Sequence, residues 1–225
     1  MADIRNNIEE VKKGISSTGS EQDVLLVAVT KTHSPDEINE AIDCGITDIG
    51  ENKVQEILDK YDKVKPVRWH MIGHLQTNKV KYIIDKVCLI HSVDSLKLAK
   101  EINKRATAHD KVMDILIQVN AAHEESKWGI DPKDTGALIN EILENCPNVR
   151  IKGLMSVAPY ADDQDEIRPF FAEVKQLYDE YAKIDHEMID FEYLSMGMSH
   201  DYLTAIEEGS NLVRVGTAIF GARVY

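Results

Sequence analysis

The chain has 225 residues, of which 43% are hydrophobic and 29% charged, a composition typical of a folded globular protein and not of a disordered or fibrous one. Its 39 acidic side chains outnumber its 26 basic ones, and the net charge of −13 would repel a phosphate backbone, which argues against nucleic acid as a partner. The three cysteines have no C-x-x-C spacing, so they indicate neither a zinc site nor a disulfide framework and fit a reducing compartment.

The amino-terminal segment predicts an amphipathic helix. Ile4, Ile8, Val11 and Ile15 recur at helical spacing, and the segment lacks the apolar centre of a signal peptide. No later stretch approaches the ~20 consecutive apolar residues needed to cross a bilayer. We therefore expect a cytoplasmic protein that does not insert into membranes.

Short apolar runs alternate with segments of helical period over the rest of the chain. This alternation predicts parallel strands joined by helices, either in a (β/α)8 barrel or in an open doubly wound sheet, and the strand count favours the barrel. No linker or change of composition marks a second domain, so residues 1–225 are predicted to form one domain. The eight runs are VLLVAVTK from Val24, TDIGEN from Thr47, RWHMIGHL from Arg68, CLIHSVD from Cys88, DILIQVN from Asp114, IKGLMSV from Ile151, EYLSMGMS from Glu192 and LVRVGTAIFG from Leu212.

The helices predicted between these strands have start signals. Ser34-Pro35-Asp36-Glu37 has the N-cap, N1 and N3 residues of a capping box, and Asp131-Pro132 and Asn52 with Gln55 suggest two further helix starts. Apolar residues at helical spacing predict one buried face in each of these segments, as in Val80, Ile83 and Ile84.

The residues at the carboxyl ends of the strands are the candidates for function, because barrels of this type build their sites there. Lys31 is the most unusual of them. A lysine amine that is partly desolvated at an apolar barrel mouth can attack a carbonyl carbon, although a solvated lysine at a loop start is the alternative. The other strand-end residues are Glu51, Asn52, His74, Asp94, Asn120, Ser156, Ser199, Arg214, Gly216 and Thr217.

Two segments in the last third of the chain predict an anion site. LSMGMSHDYLTAIEEGS predicts a short helix that begins at Ser199 or His200 and ends near Gly209, and the N–H groups at its start, with the serine hydroxyl, can bind a phosphate. Gly216 and Thr217 follow in the next strand, where glycine lets the backbone approach an anion closely. The alternative is that these are ordinary turn residues.

Arg214 adds a cation to the same predicted site. It shares a strand face with Gly216 and is predicted to point into the barrel, where a guanidinium must find an acceptor. A structural ion pair with Glu51 or Asp94 is the alternative. With Lys31 and the anion site, Arg214 predicts a pocket for a phosphorylated carbonyl compound.

The spacing of His70 and His74 argues against a metal site formed by these two histidines. His70 and His74 are four residues apart in a predicted strand, which separates them by roughly 13 Å, too far to share a metal ion. His33 and His200 are expected to be surface histidines.

The strand-end motifs together resemble the YggS/PROSC family of pyridoxal phosphate homeostasis proteins, also called PLP-binding proteins, where PLP is pyridoxal 5'-phosphate. The resemblance implies an α/β fold: a single (β/α)8 TIM barrel of PLP fold type III, like the amino-terminal domain of alanine racemase, with an extra N-terminal helix. The matching motifs run from about Val24 to Arg223 and are VAVTKTHSPDEI, IGENKVQE, WHMIGHLQTNKVK, IHSVDS, QVNAAHEESKWGI, GLMSVAPY, LSMGMSHDYLTAIEEGS and VRVGTAIFGAR.

The resemblance also implies roles for individual residues. Lys31 falls on the lysine that forms a Schiff base with PLP. Ser199, Gly216 and Thr217 fall on the positions that bind its phosphate, and Arg214 falls on the arginine that faces the pyridine nitrogen. The remaining pocket positions are Asn52, Met155 and Ser156.

The function that the resemblance implies is PLP and amino-acid homeostasis by a monomeric carrier, with apo PLP-dependent enzymes as possible recipients. An arginine can donate a hydrogen bond to the pyridine nitrogen but does not readily protonate it, which makes the ring a weaker electron sink. Racemases of this fold add a second domain, whereas these barrel motifs reach Ala222 or Arg223 of a chain that ends at Tyr225. We therefore expect no catalytic residues.

Two alternatives stay open at this point. A monomeric PLP enzyme, such as a weak amino-acid racemase, would use Lys31 on one face of the cofactor and His200 or Tyr160 on the other. A barrel like that of class I aldolases would use Lys31 without a cofactor. Surface lysines that a second PLP molecule could modify are Lys79, Lys81 and Lys127.

Overall fold

Eight parallel strands form a closed barrel in the computed structural model, which describes residues 3–122 and 128–221. Each strand pairs with its neighbours in chain order, and β8 closes the barrel against β1. The predicted fold class is therefore confirmed. The strands are β1 (Leu25–Val29), β2 (Asp48–Glu51), β3 (Arg68–Met71), β4 (Leu89–Val93), β5 (Met113–Val119), β6 (Val149–Ser156), β7 (Ile189–Ser195) and β8 (Leu212–Val215).

Helices surround the barrel and include the predicted amino-terminal helix. Short 3-10 helices lie between the other elements, at Tyr61–Lys63, Thr77–Tyr82, Pro132–Asp134 and Gln164–Glu166. Within the described residues, no helix has both the length and the apolar character to span a membrane. The α-helices are α1 (Ile4–Ser17), α2 (Pro35–Asp43), α3 (Val54–Lys60), α4 (Leu96–Ala108), α5 (Thr135–Asn145), α6 (Arg168–Tyr181), α7 (Tyr202–Glu207) and α8 (Thr217–Phe220).

The apolar core has two parts. The larger part lies between the outer face of the barrel and the helices, and includes the buried face of α1. The smaller part fills the barrel interior, and Leu25, Val157 and Tyr193 pack against it. The buried residues of this interior core are Val27, Leu89, Leu116, Met155 and Leu212.

Helix starts were predicted with mixed success. The capping box at Ser34 is confirmed, since its hydroxyl accepts from the Glu37 amide and the Glu37 carboxylate accepts from the Ser34 amide. The cap predicted at Asn52 is wrong, because α3 begins one residue later and Lys53 occupies its N-cap position without a side-chain hydrogen bond. The segment around Val80 forms a 3-10 helix instead of an α-helix, although Val80 is buried as expected.

The last predicted strand is shorter than its apolar run. LVRVGTAIFG was interpreted as one strand, but β8 ends at Val215, and the apolar residues that follow form α8. Ile219 and Phe220 of α8 are buried against the rest of the core, and Asn7 on α1 donates to the Ile219 carbonyl. Packing against α1 therefore decides the conformation of a segment whose local pattern is equally compatible with a strand.

A glycine on β6 is required by close contact with β7. Gly153 has φ of 137°, and a Cβ atom placed there would lie 1.9 Å from the Tyr193 carbonyl oxygen. We expect Gly153→Ala to destabilise the protein by several kcal/mol, since the strands must separate. In a protein of this size, each kcal/mol lowers the melting temperature by about 2–4 °C.

Gly19→Ala is the matched control for this prediction. Gly19 also has a positive φ, of 67°, but a Cβ there meets nothing within 4 Å, so only the conformational cost of about 1–2 kcal/mol applies. Equal decreases in melting temperature for the two variants would contradict the proposed backbone clash.

Candidate ligand site at the barrel mouth

Lys31 and Arg214 belong to the same carboxyl-terminal mouth of the barrel. Arg214 pairs in register with Val27, which is part of the interior core, so Arg214 points inward. Extended pairing continues past β1, where the Thr30 amide donates to the Gly50 carbonyl. Side chains alternate along a strand, so Lys31, half-buried two residues beyond β1, shares the inward face of Val27.

A buried ion pair between Glu51 and Lys60 holds the backbone directly before Lys31, at Thr30. Glu51, at the end of β2, is fully buried, and its Oε1 accepts from the Thr30 hydroxyl at 2.7 Å and from Lys60 Nζ at 2.8 Å. Lys60 Nζ also donates to the Thr30 carbonyl at 2.9 Å. The end of β1 is thus fastened to β2 and α3.

The same network holds the backbone directly after Lys31, at Thr32. Glu56 accepts from the Thr32 amide at 2.7 Å and from Lys60 Nζ at 2.8 Å. Thr32 has φ of 70°, a left-handed conformation that is unfavourable for a β-branched residue. The bond from Thr32 to Glu56 stabilises this turn and so determines where Lys31 leaves the backbone.

Arg214 is a buried cation with neutral partners. Its Nη1 donates to the Ser195 carbonyl at 2.9 Å and to the Ser195 hydroxyl, and its Nη2 donates to the Ser156 carbonyl at 2.8 Å. The alternative ion pair with Glu51 or Asp94 does not form among the described residues, where Glu51 is paired with Lys60. Burial lowers the pKa of Arg214 to about 10, against an opposing effect of Asp201, so the side chain stays charged at neutral pH.

Ser199 lies next to the segment that contains Gly216 and Thr217, as predicted for an anion site, but it is not at the start of a helix. α7 begins at Tyr202, after an N-cap at Asp201, so the start predicted at Ser199 or His200 is wrong. The Ser199 hydroxyl instead accepts from the amides of Gly216 at 3.1 Å and Ala218 at 3.3 Å. Ser199 is therefore in direct contact with the backbone that also carries Thr217.

The three remaining pocket candidates differ in what their polar atoms contact. Asn52 is half-buried, and its Oδ1 is buried without a hydrogen-bond partner among the described residues. The Ser156 hydroxyl donates to the Val119 carbonyl at 2.6 Å, so that hydrogen is already used. Met155 is buried within the interior core and provides apolar wall.

Other strand-end residues are less closely connected with this mouth. β3 ends at Met71, so His74 lies in the following loop and not in the strand, where its ring stacks on Trp128 at a centroid distance of 3.5 Å. His74 and Asp94 line a groove of about 450 Å³ between two loops. Asn120 follows β5 and donates its amide to the Ile130 carbonyl.

The structure confirms the surface positions predicted for some of the loop histidines and lysines, but not for all of them. His200 is exposed as expected, whereas the surface position predicted for His33 is wrong, since this ring stacks on Phe220 at 4.5 Å and contacts Glu37. Lys79 and Lys81 are exposed beside the Tyr82 ring. Lys127, Ala222 and Arg223 lie outside the described residues.

Sequence reasoning missed most of the buried polar residues that support the mouth. In the described part of the chain no group of three or more His, Cys, Asp or Glu side chains could hold a metal ion. His70 contacts Asp48 and His91, all of them buried. Two features of the sequence could have indicated these residues. One is a polar residue within an apolar strand run, as in CLIHSVD, and the other is the spacing of four between Glu56 and Lys60 on α3, which places the two side chains next to each other.

The fold and the strand-end residues define a class of barrels related to an enzyme domain. Residues 1–224 match the family described as alanine racemase, N-terminal domain. The structure of alanine racemase from Corynebacterium glutamicum is similar with a TM-score of 0.72 and 15% sequence identity, over 98% of this chain and 61% of that one. At this identity the likeness shows the shared fold alone.

Relatives of higher identity give the narrower family. The pyridoxal phosphate homeostasis protein of Aquifex aeolicus is 44% identical over 221 residues, which cover 97% of this chain and 96% of the relative. The structure of PipY of Synechococcus elongatus with PLP bound has a TM-score of 0.85 and 31% identity, over 97% of this chain and 100% of that one. The chain belongs to the family of pyridoxal phosphate homeostasis proteins.

Replacing Lys60 tests the network that holds the Lys31 turn. Lys60→Met leaves the Glu51 carboxylate buried without a cation, and we expect the free energy of unfolding to fall by about 3–5 kcal/mol at neutral pH. Urea unfolding followed by circular dichroism measures this loss. The control is Lys63→Met, an exposed lysine nearby, for which we expect a change within about 0.5 kcal/mol.

The loss should also depend on pH. Burial raises the pKa of Glu51 in the folded protein, against the opposing effect of Lys60. Folding then favours the protonated carboxyl, so stability falls as pH rises from the pKa of the unfolded chain, about 4.3, to the higher folded value. Without Lys60 this shift grows, and the loss should be larger near pH 8 than near pH 5. A loss that is the same at both pH values would contradict this assignment.

Proposed function

We propose that this chain binds PLP through a Schiff base to Lys31 and takes part in intracellular PLP (vitamin B6) and amino-acid homeostasis. The names of the relatives support this proposal, as does the PLP-bound structure of PipY. The observation that carries it is the presence, at one barrel mouth, of an inward lysine and of a buried arginine whose hydrogen bonds, among the described residues, go to neutral oxygens.

The residues of the mouth fit the chemical groups that PLP presents. When bound, PLP supplies an aldehyde that condenses with a primary amine and an aromatic ring that withdraws electrons. Lys31 provides the amine, on a turn that Lys60 and Glu56 fix on both sides. Condensation joins the Lys31 nitrogen to the aldehyde carbon and releases one water molecule.

Arg214 suits a neutral acceptor such as the pyridine nitrogen. Of the five N–H groups of a guanidinium, three donate to Ser195 and Ser156, and the described part of the chain accepts from neither of the other two. A charged arginine donates a hydrogen bond without giving up its proton, which leaves the ring nitrogen unprotonated and the electron sink weak. This favours holding the cofactor over carbanion chemistry.

Ser199, Gly216 and Thr217 are proposed to bind the phosphate group. The Ser199 hydroxyl is the acceptor in its bonds from the Gly216 and Ala218 amides, so its own O–H can donate to an anion. Gly216 has no side chain to obstruct that approach. Asn52, directly after β2, has an amide oxygen with no hydrogen-bond partner among the described residues and is proposed to contact the cofactor, and the proposed pocket wall consists of Met155 and Ser156.

The proposed function also includes a domain organisation, an oligomeric state and a location for the whole protein. We propose that residues 1–225 form a single domain that acts as a monomer in the cytoplasm. Its proposed role is that of a carrier without catalytic residues, which passes PLP to apo PLP-dependent enzymes or buffers it against free amines. The excess of negative charge would speed association with partners that present basic surfaces.

Lys31→Ala is the first test. The wild-type protein, incubated with PLP and then freed of excess cofactor, should keep a visible Schiff-base absorption band, and borohydride reduction should attach one PLP to the peptide that contains Lys31. In Lys31→Ala both signals should fall to background. Lys79→Ala, which removes an exposed lysine, should keep both.

Each contrary outcome has a distinct meaning. If the wild-type protein retains no PLP, the cofactor assignment fails and a Schiff-base enzyme acting on a phosphorylated sugar becomes the better hypothesis. If Lys31→Ala retains the band, another lysine carries the cofactor.

A weak amino-acid racemase is the second candidate function. The Tyr160 and His200 rings lie 5.3 Å apart, on the loops after β6 and β7, at the mouth where a second acid or base would be needed. Exchange of the α-proton of an amino acid into deuterated water, measured by NMR with PLP-loaded protein, separates the two functions. We expect no exchange above that of PLP alone; exchange that Tyr160→Phe or His200→Gln abolishes would establish the enzyme.

A further inference from the structure

A chain of five polar side chains crosses the barrel interior and ends at Arg214. It begins at Asp48, the first residue of β2, and passes through His70 on β3, His91 on β4 and Ser195 at the end of β7. We call these residues, with Arg214, the histidine relay. Every member is at most 4% exposed, so no solvent competes for its hydrogen bonds.

The atoms of the relay are within hydrogen-bond distance at every step. Asp48 Oδ1 lies 2.8 Å from His70 Nε2, and His70 Nδ1 lies 2.9 Å from His91 Nε2. His91 Nδ1 then lies 3.2 Å from Ser195 Oγ, which accepts from Arg214 Nη1 at 2.5 Å. The relay therefore connects the amino-terminal end of the barrel with the proposed cofactor site at the carboxyl-terminal end.

The Asp48 end of the relay determines the direction of its bonds. Burial raises the pKa of Asp48, but hydrogen bonds from His70, Thr47 and Arg68 outweigh this effect and leave the pKa below its ordinary value. Asp48 is thus an ionised acceptor, and His70 Nε2 must carry a hydrogen. Because burial lowers the pKa of His70, the ring is neutral at pH 7, and its Nδ1 can only accept.

The accepting Nδ1 of His70 determines the direction of the next two hydrogen bonds. His91 Nε2 must donate to His70 Nδ1, and burial holds the pKa of His91 well below its ordinary value, so its Nδ1 carries no hydrogen. The Ser195 hydroxyl must then donate to His91 Nδ1. All four hydrogen bonds point toward Asp48, an arrangement in which each bond polarises the next.

The direction of the relay decides what Ser195 presents to Arg214. A serine hydroxyl has one hydrogen and two lone pairs, and it rotates to suit its neighbours. With its hydrogen committed to His91, the lone pairs of Ser195 face the guanidinium. Without that commitment the hydroxyl is free to donate elsewhere and to turn its lone pairs away from Arg214.

We infer that Ser195, His91 and His70 are positioning residues, which orient Arg214 for its contact with the ring nitrogen of PLP. This inference rests on the proposed function. The relay supplies a neutral acceptor, the Ser195 hydroxyl, next to the guanidinium, and it separates Arg214 from its own anion, Asp48, by three intervening residues. A carboxylate in direct contact with Arg214 would compete for the N–H groups that the cofactor needs.

The first experiment needs no cofactor. Histidine side chains of 15N-labelled protein are observed by NMR at neutral pH, and His70→Phe and His91→Phe assign the two rings. Both should be neutral with hydrogen on Nε2 only. A ring with hydrogen on Nδ1, or one with hydrogen on both nitrogens, would overturn the relay as described.

The second experiment measures the dissociation rate of PLP from the loaded protein, together with its absorption spectrum. Ser195→Ala removes one of the three oxygens that accept from Arg214, and we expect PLP to dissociate about tenfold faster, because a hydrogen bond to a charged group is lost. His91→Phe, which keeps an aromatic ring but neither donates nor accepts, should have a similar effect. The absorption maximum should shift in both variants, because the hydrogen bond to the ring nitrogen weakens.

Ser92→Ala is the matched control. Ser92 is as fully buried as Ser195, but its hydroxyl has no hydrogen-bond partner among the described residues. We expect its dissociation rate and spectrum to equal those of the wild type. If Ser195→Ala also behaves like the wild type, or if Ser92→Ala releases PLP equally fast, the positioning role is contradicted.

The two proposals fail in distinguishable ways. A wild-type protein that retains no PLP on Lys31 contradicts the proposed function and, with it, the purpose assigned to the relay. A wild-type protein that retains PLP, with unchanged dissociation in Ser195→Ala and His91→Phe, contradicts only the relay. Circular dichroism of each variant shows whether the barrel is folded before these rates are compared.

Discussion

A guanidinium buried without a carboxylate partner is the constraint on which the rest of the site depends. A buried cation is tolerated only where its N–H groups find acceptors, and within the described residues those of Arg214 go to oxygens of Ser195 and Ser156. The barrel must therefore place oxygens from β6 and β7 around β8. What remains is a positive, partly unsatisfied group at the same mouth as Lys31, which suits an acceptor-rich ligand.

Two separate polar networks support the two ends of this site. Behind the barrel wall, Lys60 joins Glu51 and Glu56 to the turn on either side of Lys31. Inside the barrel, the histidine relay reaches Arg214 from below. Both networks anchor the reactive groups to strands and to α3 instead of to mobile loops, and such rigidity is what a preorganised site requires. The proposed binding of PLP gains from this rigidity, because less conformational freedom is lost when the ligand binds.

The barrel and the positions of its candidate residues could be predicted, whereas several local conformations could not. Eight apolar runs and the carboxyl-end rule were enough to indicate Lys31, Ser199 and Arg214. The same rules misplaced the end of β8 and the start of α7. Residues 217–220 are apolar in either conformation, and only the packing of α1 against α8 makes them helical. Met198 donates its amide to Asp201, which moves the helix cap past Ser199 and leaves that hydroxyl for α8.

The sequence by itself determined the alternation of strands and helices, the capping box at Ser34 and the residue types at each strand end, because these depend on spacing along the chain. Tertiary structure alone decided which polar groups meet. Asp48 and Arg214 are 166 positions apart, and no local pattern indicates that two histidines and a serine join them. That connection exists because barrel closure turns inward-facing positions of β2, β3, β4, β7 and β8 toward one another, in a space where every buried polar group must find a partner.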